Sequence, residues 1–301
     1  MTNSVLVTGA SGLIGGHLVE KLLQKGCRVS QLVRSGKAGL VPAYRWDPDT
    51  GYFDRKALEG VDTIVNLAGA GIADKRWTKS RKVEILESRL KSARLLRETL
   101  LAGSHSVKTV VAVSAIGYYG CGDERHAFTE EDEPASDFLA SVVRQWEEET
   151  QPLTEAGIRL VTVRVGVVFS LRGGALPEII RPVGYGLGAP LGSGRQLVSW
   201  IHIDDLCELF AWAISHPVRG VYNAVAPEPV SNLELTKKLA RRLNRPILLP
   251  PVPGFMMRLV LGEMADLVLT GSRVSSARAI RDGFQFRFPN CDQALDNLIN
   301  P

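Results

Sequence analysis

The sequence predicts an α/β fold: a parallel sheet wound on both faces by helices, followed by a smaller, more helical C-terminal region. Three observations predict it. Short apolar runs alternate with helical patterns through most of the first 225 residues, the signature of a parallel sheet with covered faces. The first run, Ser4-Val-Leu-Val-Thr8, passes directly into Gly9-Ala-Ser-Gly12-Leu-Ile-Gly15 and then into an amphipathic helix. Beyond residue 226 the pattern changes to helices joined by proline-rich chain.

The helix after the glycines runs over roughly Leu13 to Lys25, with Leu18, Leu22 and Leu23 on one side. Arg28–Val33 and Thr63–Ala68 read as strands, Ser80–Leu101 as a long helix and Val107–Ser114 as a strand. Asp137–Glu155 follows as a helix and Leu160–Phe169 as a strand. The glycine- and proline-rich chain over 172–195 is expected to be an excursion or lid outside the sheet. Trp200–Ile203 and Val221–Ala226 look extended, with Asp204 or Asp205 expected to cap the helix between them. Ser231-Asn-Leu-Glu234 is a capping-box pattern opening a helix to about Leu243, and Phe255–Leu269 is apolar enough for a packed helix. The expected division is a nucleotide-binding domain over 1–226 and a cap over 227–301, with the active site in the cleft between them.

Composition excludes several classes. Apolar residues are 45% and charged residues 23% of 301, with a net charge of +4 and no basic run, so no nucleic-acid partner is expected. No apolar stretch approaches membrane-spanning length, and the first strand begins by residue 4, so neither a membrane partner nor a secretory leader is expected. Cys27, Cys121, Cys207 and Cys291 have no metal-ligand spacing, which predicts no metal and a reduced, cytoplasmic setting.

A strand, a glycine turn and a helix start together build a site for a dinucleotide diphosphate. Gly9 makes the turn, Gly12 lets backbone approach the phosphates, and Gly15 lets helix and strand pack closely. Ser11, Leu13 and Ile14 belong to the same loop. The second strand ends Val33-Arg34 with no carboxylate for a ribose 2′-hydroxyl, and the Arg34 guanidinium suits a 2′-phosphate, so NADP(H) is the expected cofactor. Leu67, Ala68 and Gly69 leave room for the adenosine half, Glu84 and Arg89 are candidates for ribose or phosphate, and Val168 closes the expected cofactor set.

With these residues in view, the chain resembles the extended short-chain dehydrogenase/reductase superfamily, whose fold is of the Rossmann type. Gly9-xx-Gly12-xx-Gly15, Asp62–Gly69, Tyr119-Gly120 and Ile201-His-Ile-Asp-Asp-Leu206 occur in that superfamily's order. Asn66–Trp77, Glu87–Leu90, Gly117–Gly120, Gly186–Gly194, Asn223–Pro227 and Arg281–Phe284 resemble the branch called nucleoside-diphosphate-sugar epimerase-like, or SulA-type cell-division inhibitor. The resemblance implies a Tyr and a Lys four residues apart on one helix as the catalytic pair. Aligned on Glu147, those places hold Leu139 and Val143, and the sole Y-x-x-x-K, Tyr52–Lys56, lies far from them. The superfamily's catalytic Ser/Thr position holds Ala115, beside Ser114, and its arginine for a sugar diphosphate is replaced by Val198, with Arg195 nearby.

Two functions follow. One is an NADP(H)-dependent oxidoreductase or epimerase on an unknown small substrate, with Ser114, Tyr118, Tyr119 or Lys75 as candidate proton donor. The other is a non-catalytic NADP(H)-responsive regulator, motivated by an intact glycine loop beside a missing dyad. The protein is expected to be a monomer, or a homodimer paired through the helices starting near Ser80 and Asp137.

Overall fold

The sequence folds its glycine turn at the centre of a sheet, where two halves of the chain diverge. The computed structural model describes residues 3–35, 40–122 and 126–299. In chain order, β1 (Ser4–Thr8), α1 (Leu13–Gln24), β2 (Arg28–Val33), β3 (Ala43–Asp47) and β4 (Tyr52–Phe53) lead into β5 (Thr63–Asn66). Then come α2 (Lys79–Leu101), β6 (Thr109–Ala115) and α3 (Phe138–Thr150), followed by strands Arg159–Val165 and Gly220–Ala224. The eight strands are ordered Gly220–Ala224, Arg159–Val165, β6, β5, β1, β2, β3, β4. All pairings are parallel except the terminal β3–β4 pair. From β1 the chain builds one flank through β2, then crosses to build the other through β5, which makes the β1–β5 junction the switch point where such sheets bind ligands.

Side-chain alternation covers both faces. In β1, Val5 and Val7 face α1 and the helix Ile203–Ser215, joining Leu18, Leu22, Leu209 and Phe210. Leu6 points to the other face, with Ile64, Leu96, Leu100 and Val110. A third core holds the C-terminal region: Trp200 stacks on Phe169 at 4.8 Å, among Leu176, Val183, Leu235, Leu239, Phe288 and Leu295.

Three local expectations are corrected, and one segment gains detail. The Leu160–Phe169 run breaks at Gly166, where a Cβ would stand 2.5 Å from the Ser199 carbonyl oxygen, and Val167–Phe169 pairs instead with Trp200–His202. The expected Asp137–Glu155 helix ends at Thr150, and a separate turn Pro152–Glu155 follows. The excursion over 172–195 contains a helix, Ala175–Gly184, whose Leu176 and Val183 pack into the third core. The helix Ile203–Ser215 is capped by neither aspartate: the His202 Nδ1 accepts from the Asp204 N–H at 3.0 Å. Asp205 instead accepts from the N–H groups of Arg287 and Phe288, both at 2.9 Å.

Candidate functional site

At the switch point the Thr8 hydroxyl acts as a clip. It donates to Asn66 Oδ1 at 2.7 Å and accepts from the N–H groups of Leu67 (2.9 Å) and Ala68 (3.1 Å). The chain leaving β5 is thereby held against the glycine turn, close enough that a Cβ on Gly9 would lie 2.8 Å from the Leu67 oxygen. Gly9 has φ +66°, a conformation glycine takes without strain. A Cβ on Gly15 would overlap Gly9 O and stand 2.7 Å from Ala10 Cα, so α1 packs on the turn only through glycine.

The start of α1 differs from those of α2 and α3. Thr78 and Asp137 cap those two with side-chain oxygens, whereas Gly12 offers α1 no side-chain cap and its first turn has no acidic residue. First-turn N–H groups and the positive end of the helix dipole therefore remain for an anion. Ser11 is exposed there, and Leu13 and Ile14 are half-buried. Leu13 lies under Gly174, 3.2 Å from where a Cβ would stand, and the Val168 carbonyl is 3.7 Å from the same point. Val168 and the beginning of the excursion thus wall the glycine turn.

Arg34 is exposed just past β2, at the sheet edge that carries Gly9, since Thr8 pairs with Leu32. Arg89 is more telling. Its guanidinium lies 5.1 Å from the Trp146 ring, its Cγ is 3.3 Å from where a Gly69 Cβ would be, and it donates to the Ile85 carbonyl at 2.9 Å. Burial, with Arg81 nearby, pushes its pKa down to about 10, and among the described residues no carboxylate offsets that cost. A half-buried cation against Gly69, with no carboxylate partner among the described residues, fits an anionic ligand. Glu84 is otherwise engaged: Arg81 holds it at 2.7 Å, which lowers its carboxyl pKa. Arg81 also donates to the Gly71 carbonyl at 2.5 Å and lies 3.5 Å from Asp74, pinning the loop after Gly69.

The candidate proton donors separate into two pairs. Ser114 and Tyr119 are both 2% exposed and lie in one buried network. Ser114 donates to Glu147 at 2.5 Å, Glu147 receives both Nε and Nη2 of Arg164 at 2.8 Å, and Arg164 Nη1 reaches the Tyr119 oxygen at 2.9 Å. Tyr119 in turn donates to Asn223 at 2.7 Å, and burial pushes its phenol up to about 12. Tyr118 is half-buried, its ring 3.4 Å from the Arg164 guanidinium, and Lys75 is exposed on the loop after Gly69. Around the dyad positions the packing is apolar: a Cβ on Gly117 would sit 3.5 Å from Leu139 and 4.0 Å from Val143.

Sequence reasoning missed Thr8, Arg81 and the Glu147–Arg164 pair. Arg164 carried a signal, because an arginine inside the apolar run Arg159–Val165 must find a buried partner. Among the described residues no group of His, Cys, Asp and Glu forms a metal site, and no helix is long and apolar enough to cross a membrane.

Together the doubly wound sheet and the glycine turn at its switch point define a Rossmann-like α/β protein. The chain belongs to the NAD dependent epimerase/dehydratase family, whose model matches residues 5–225, and residues 252–298 match a domain of unknown function, DUF1731. It is 37% identical over 298 residues to an epimerase family protein of Mycobacterium tuberculosis, covering 98% of this chain and 97% of that one. The human epimerase family protein SDR39U1 (isoform 2), solved with NADPH, superposes with a TM-score of 0.89 at 32% identity, covering 99% of both chains. A nucleoside-diphosphate sugar epimerase from Corynebacterium glutamicum superposes with a TM-score of 0.82 at 32% identity, covering 99% of this chain and 58% of that one.

Proposed function

We propose that this protein binds NADP(H) at the β1–β5 switch point and acts as an oxidoreductase or epimerase on a small molecule, without the usual Tyr–Lys pair. The observation carrying this is Arg89, a half-buried guanidinium beside Gly69 with no carboxylate partner among the described residues. The NADPH in the human relative and the Arg34 guanidinium at the same sheet edge support the phosphorylated cofactor. In this reading the first turn of α1 and Arg89 hold the diphosphate, Arg34 holds the 2′-phosphate, and Leu67–Gly69 and Val168 flank the rings. When bound, the cofactor supplies or accepts a hydride. The protein must then exchange a proton at the substrate oxygen, and Tyr118 and Lys75 are the candidates left accessible.

The test is calorimetric titration with NADPH and NADH. Arg34→Ala is expected to weaken NADPH by roughly 10- to 100-fold, a lost charge-assisted contact, while leaving NADH unchanged. Equal loss for both cofactors, or no NADPH binding by the native protein, overturns the assignment. A second reading, a non-catalytic NADP(H)-responsive regulatory or binding protein, is favoured by the commitment of Ser114 and Tyr119 to the buried network. It predicts partner capture that differs between NADPH and NADP⁺, with no turnover.

A further inference from the structure

Arg89 is held differently from the other arginines of α2. Arg81 pairs with Glu84, and Arg94 and Arg97 both reach Glu149. Arg89 has no carboxylate partner among the described residues, and the nearby charge that acts on it is the like-signed Arg81. Two uncharged neighbours take the place of a carboxylate. One is Gly69, where a Cβ would stand 3.3 Å from the Arg89 Cγ and 3.5 Å from its Cζ. The other is the Trp146 ring, whose centre lies 5.1 Å from that Cζ.

Both neighbours are themselves fixed. Ser88 accepts from the Ala70 N–H at 3.1 Å, and Ser92 donates to the Ala68 carbonyl at 3.4 Å, so α2 fastens the chain on either side of Gly69. That chain follows β5 at the sheet edge carrying the glycine turn, since Thr8 pairs with Asn66. Trp146 is 5% exposed on α3, one residue before Glu147, which takes bonds from Ser114 and Arg164. Its indole N–H has no acceptor among the described residues, so the ring and not the N–H is what this position uses.

A carboxylate would also hold the guanidinium, but it would cancel the charge. An aromatic face attracts a cation through its quadrupole and leaves the charge available, and a planar guanidinium suits it better than an ammonium. Of the Arg89 nitrogens, Nη1 is spent on the Ile85 carbonyl at 2.9 Å, whereas Nε and Nη2 have no acceptor among the described residues. We infer that Trp146 is a positioning residue: its ring orients the Arg89 guanidinium at the switch point, uncancelled, for the diphosphate of the cofactor. This rests on the NADP(H) reading above and names what prepares that site.

The test is a double-mutant cycle on NADPH affinity, measured by calorimetric titration. Arg89→Ala is expected to weaken NADPH roughly 10- to 100-fold, the loss of a charge-assisted contact. Trp146→Leu is expected to weaken it roughly threefold to tenfold in the native background, as suits a cation–π contact, and less than about twofold when Arg89 is already alanine. Trp146→Phe, which keeps an aromatic face and drops only an unpartnered N–H, should bind within about twofold of the native protein. Arg89→Lys keeps the charge without the flat face and should lose nearly as much as Arg89→Ala. Equal losses from Trp146→Leu in both backgrounds would show general damage to the fold and overturn the proposal. So would a Trp146→Leu protein that binds like the native one, or a Trp146→Phe protein as weak as the leucine variant. Should the leucine variant not fold, Arg89→Lys still decides, because native-like NADPH binding by it would refute any need for stacking. A native protein that binds no NADPH would sink the cofactor reading and this inference with it, whereas the other failures leave that reading standing.

Discussion

At the scale of single residues, the Glu147–Arg164 pair is the most exacting feature. Arg164 is 3% and Glu147 9% exposed, and their forked contact joins α3 to the strand Arg159–Val165. A buried pair of this kind adds little over an apolar pair, but removing one partner strands a charge at a cost of about 3–5 kcal/mol. Glu147→Gln is accordingly expected to lower the melting temperature by roughly 10 °C in a scanning calorimeter. A Glu147→Leu/Arg164→Met double variant should recover much of that loss, because it removes both charges together. If the single variant melts like the native protein, the pair is not desolvated as the structure shows it.

Among elements, the segment from His202 to Asp205 ties the C-terminal region to the sheet. Asp205 is buried, which raises its carboxyl pKa, and its two oxygens receive the N–H groups of Arg287 and Phe288. Asp205→Ala leaves both donors orphaned, at about 1–3 kcal/mol each. The expected result is faster hydrogen exchange at residues 287 and 288, with amides of β1 and β5 keeping their protection. Unchanged exchange at both positions would refute the tie. Such a contact joins residues 82 positions apart, so no local pattern announces it. The Ser231 capping box was legible because its partners are three residues apart, and the structure holds both bonds. The glycine turn was legible for the same reason. The break at Gly166 depends on Ser199, and the roles of Ser114 and Tyr119 depend on Glu147, Arg164 and Asn223, so these emerged only when distant strands met. His202 as a cap was hidden by the commoner choice, the aspartates that follow it.

For the whole molecule, His202 makes stability depend on pH. Its ring is 1% exposed, 4.0 Å from the Phe288 ring, and burial pushes its pKa down to about 4 from the ordinary 6.5. Above pH 6.5 the ring is neutral in both folded and unfolded chains and adds no pH dependence. As pH falls towards 4, the unfolded chain takes up a proton that the folded chain refuses, and up to about 3 kcal/mol of stability is lost. Asp205, with its raised carboxyl, works in the opposite sense at the acid end. The expected outcome is a melting temperature that declines from pH 6.5 to 4, with a shallower decline in His202→Gln. Parallel profiles for the two proteins would rule His202 out as the cause.

The strand order also bears on how the chain is made. β2 joins β1, β3 joins β2 and β4 joins β3; β5 then takes the free side of β1, and β6, Arg159–Val165 and Gly220–Ala224 follow outward in turn. Every strand leaving the ribosome thus meets an open edge of the sheet already present, and none must wedge between two partners. A nascent chain can zip its sheet in the order of translation, with the glycine turn already held between β1 and β5 once about the first third has emerged.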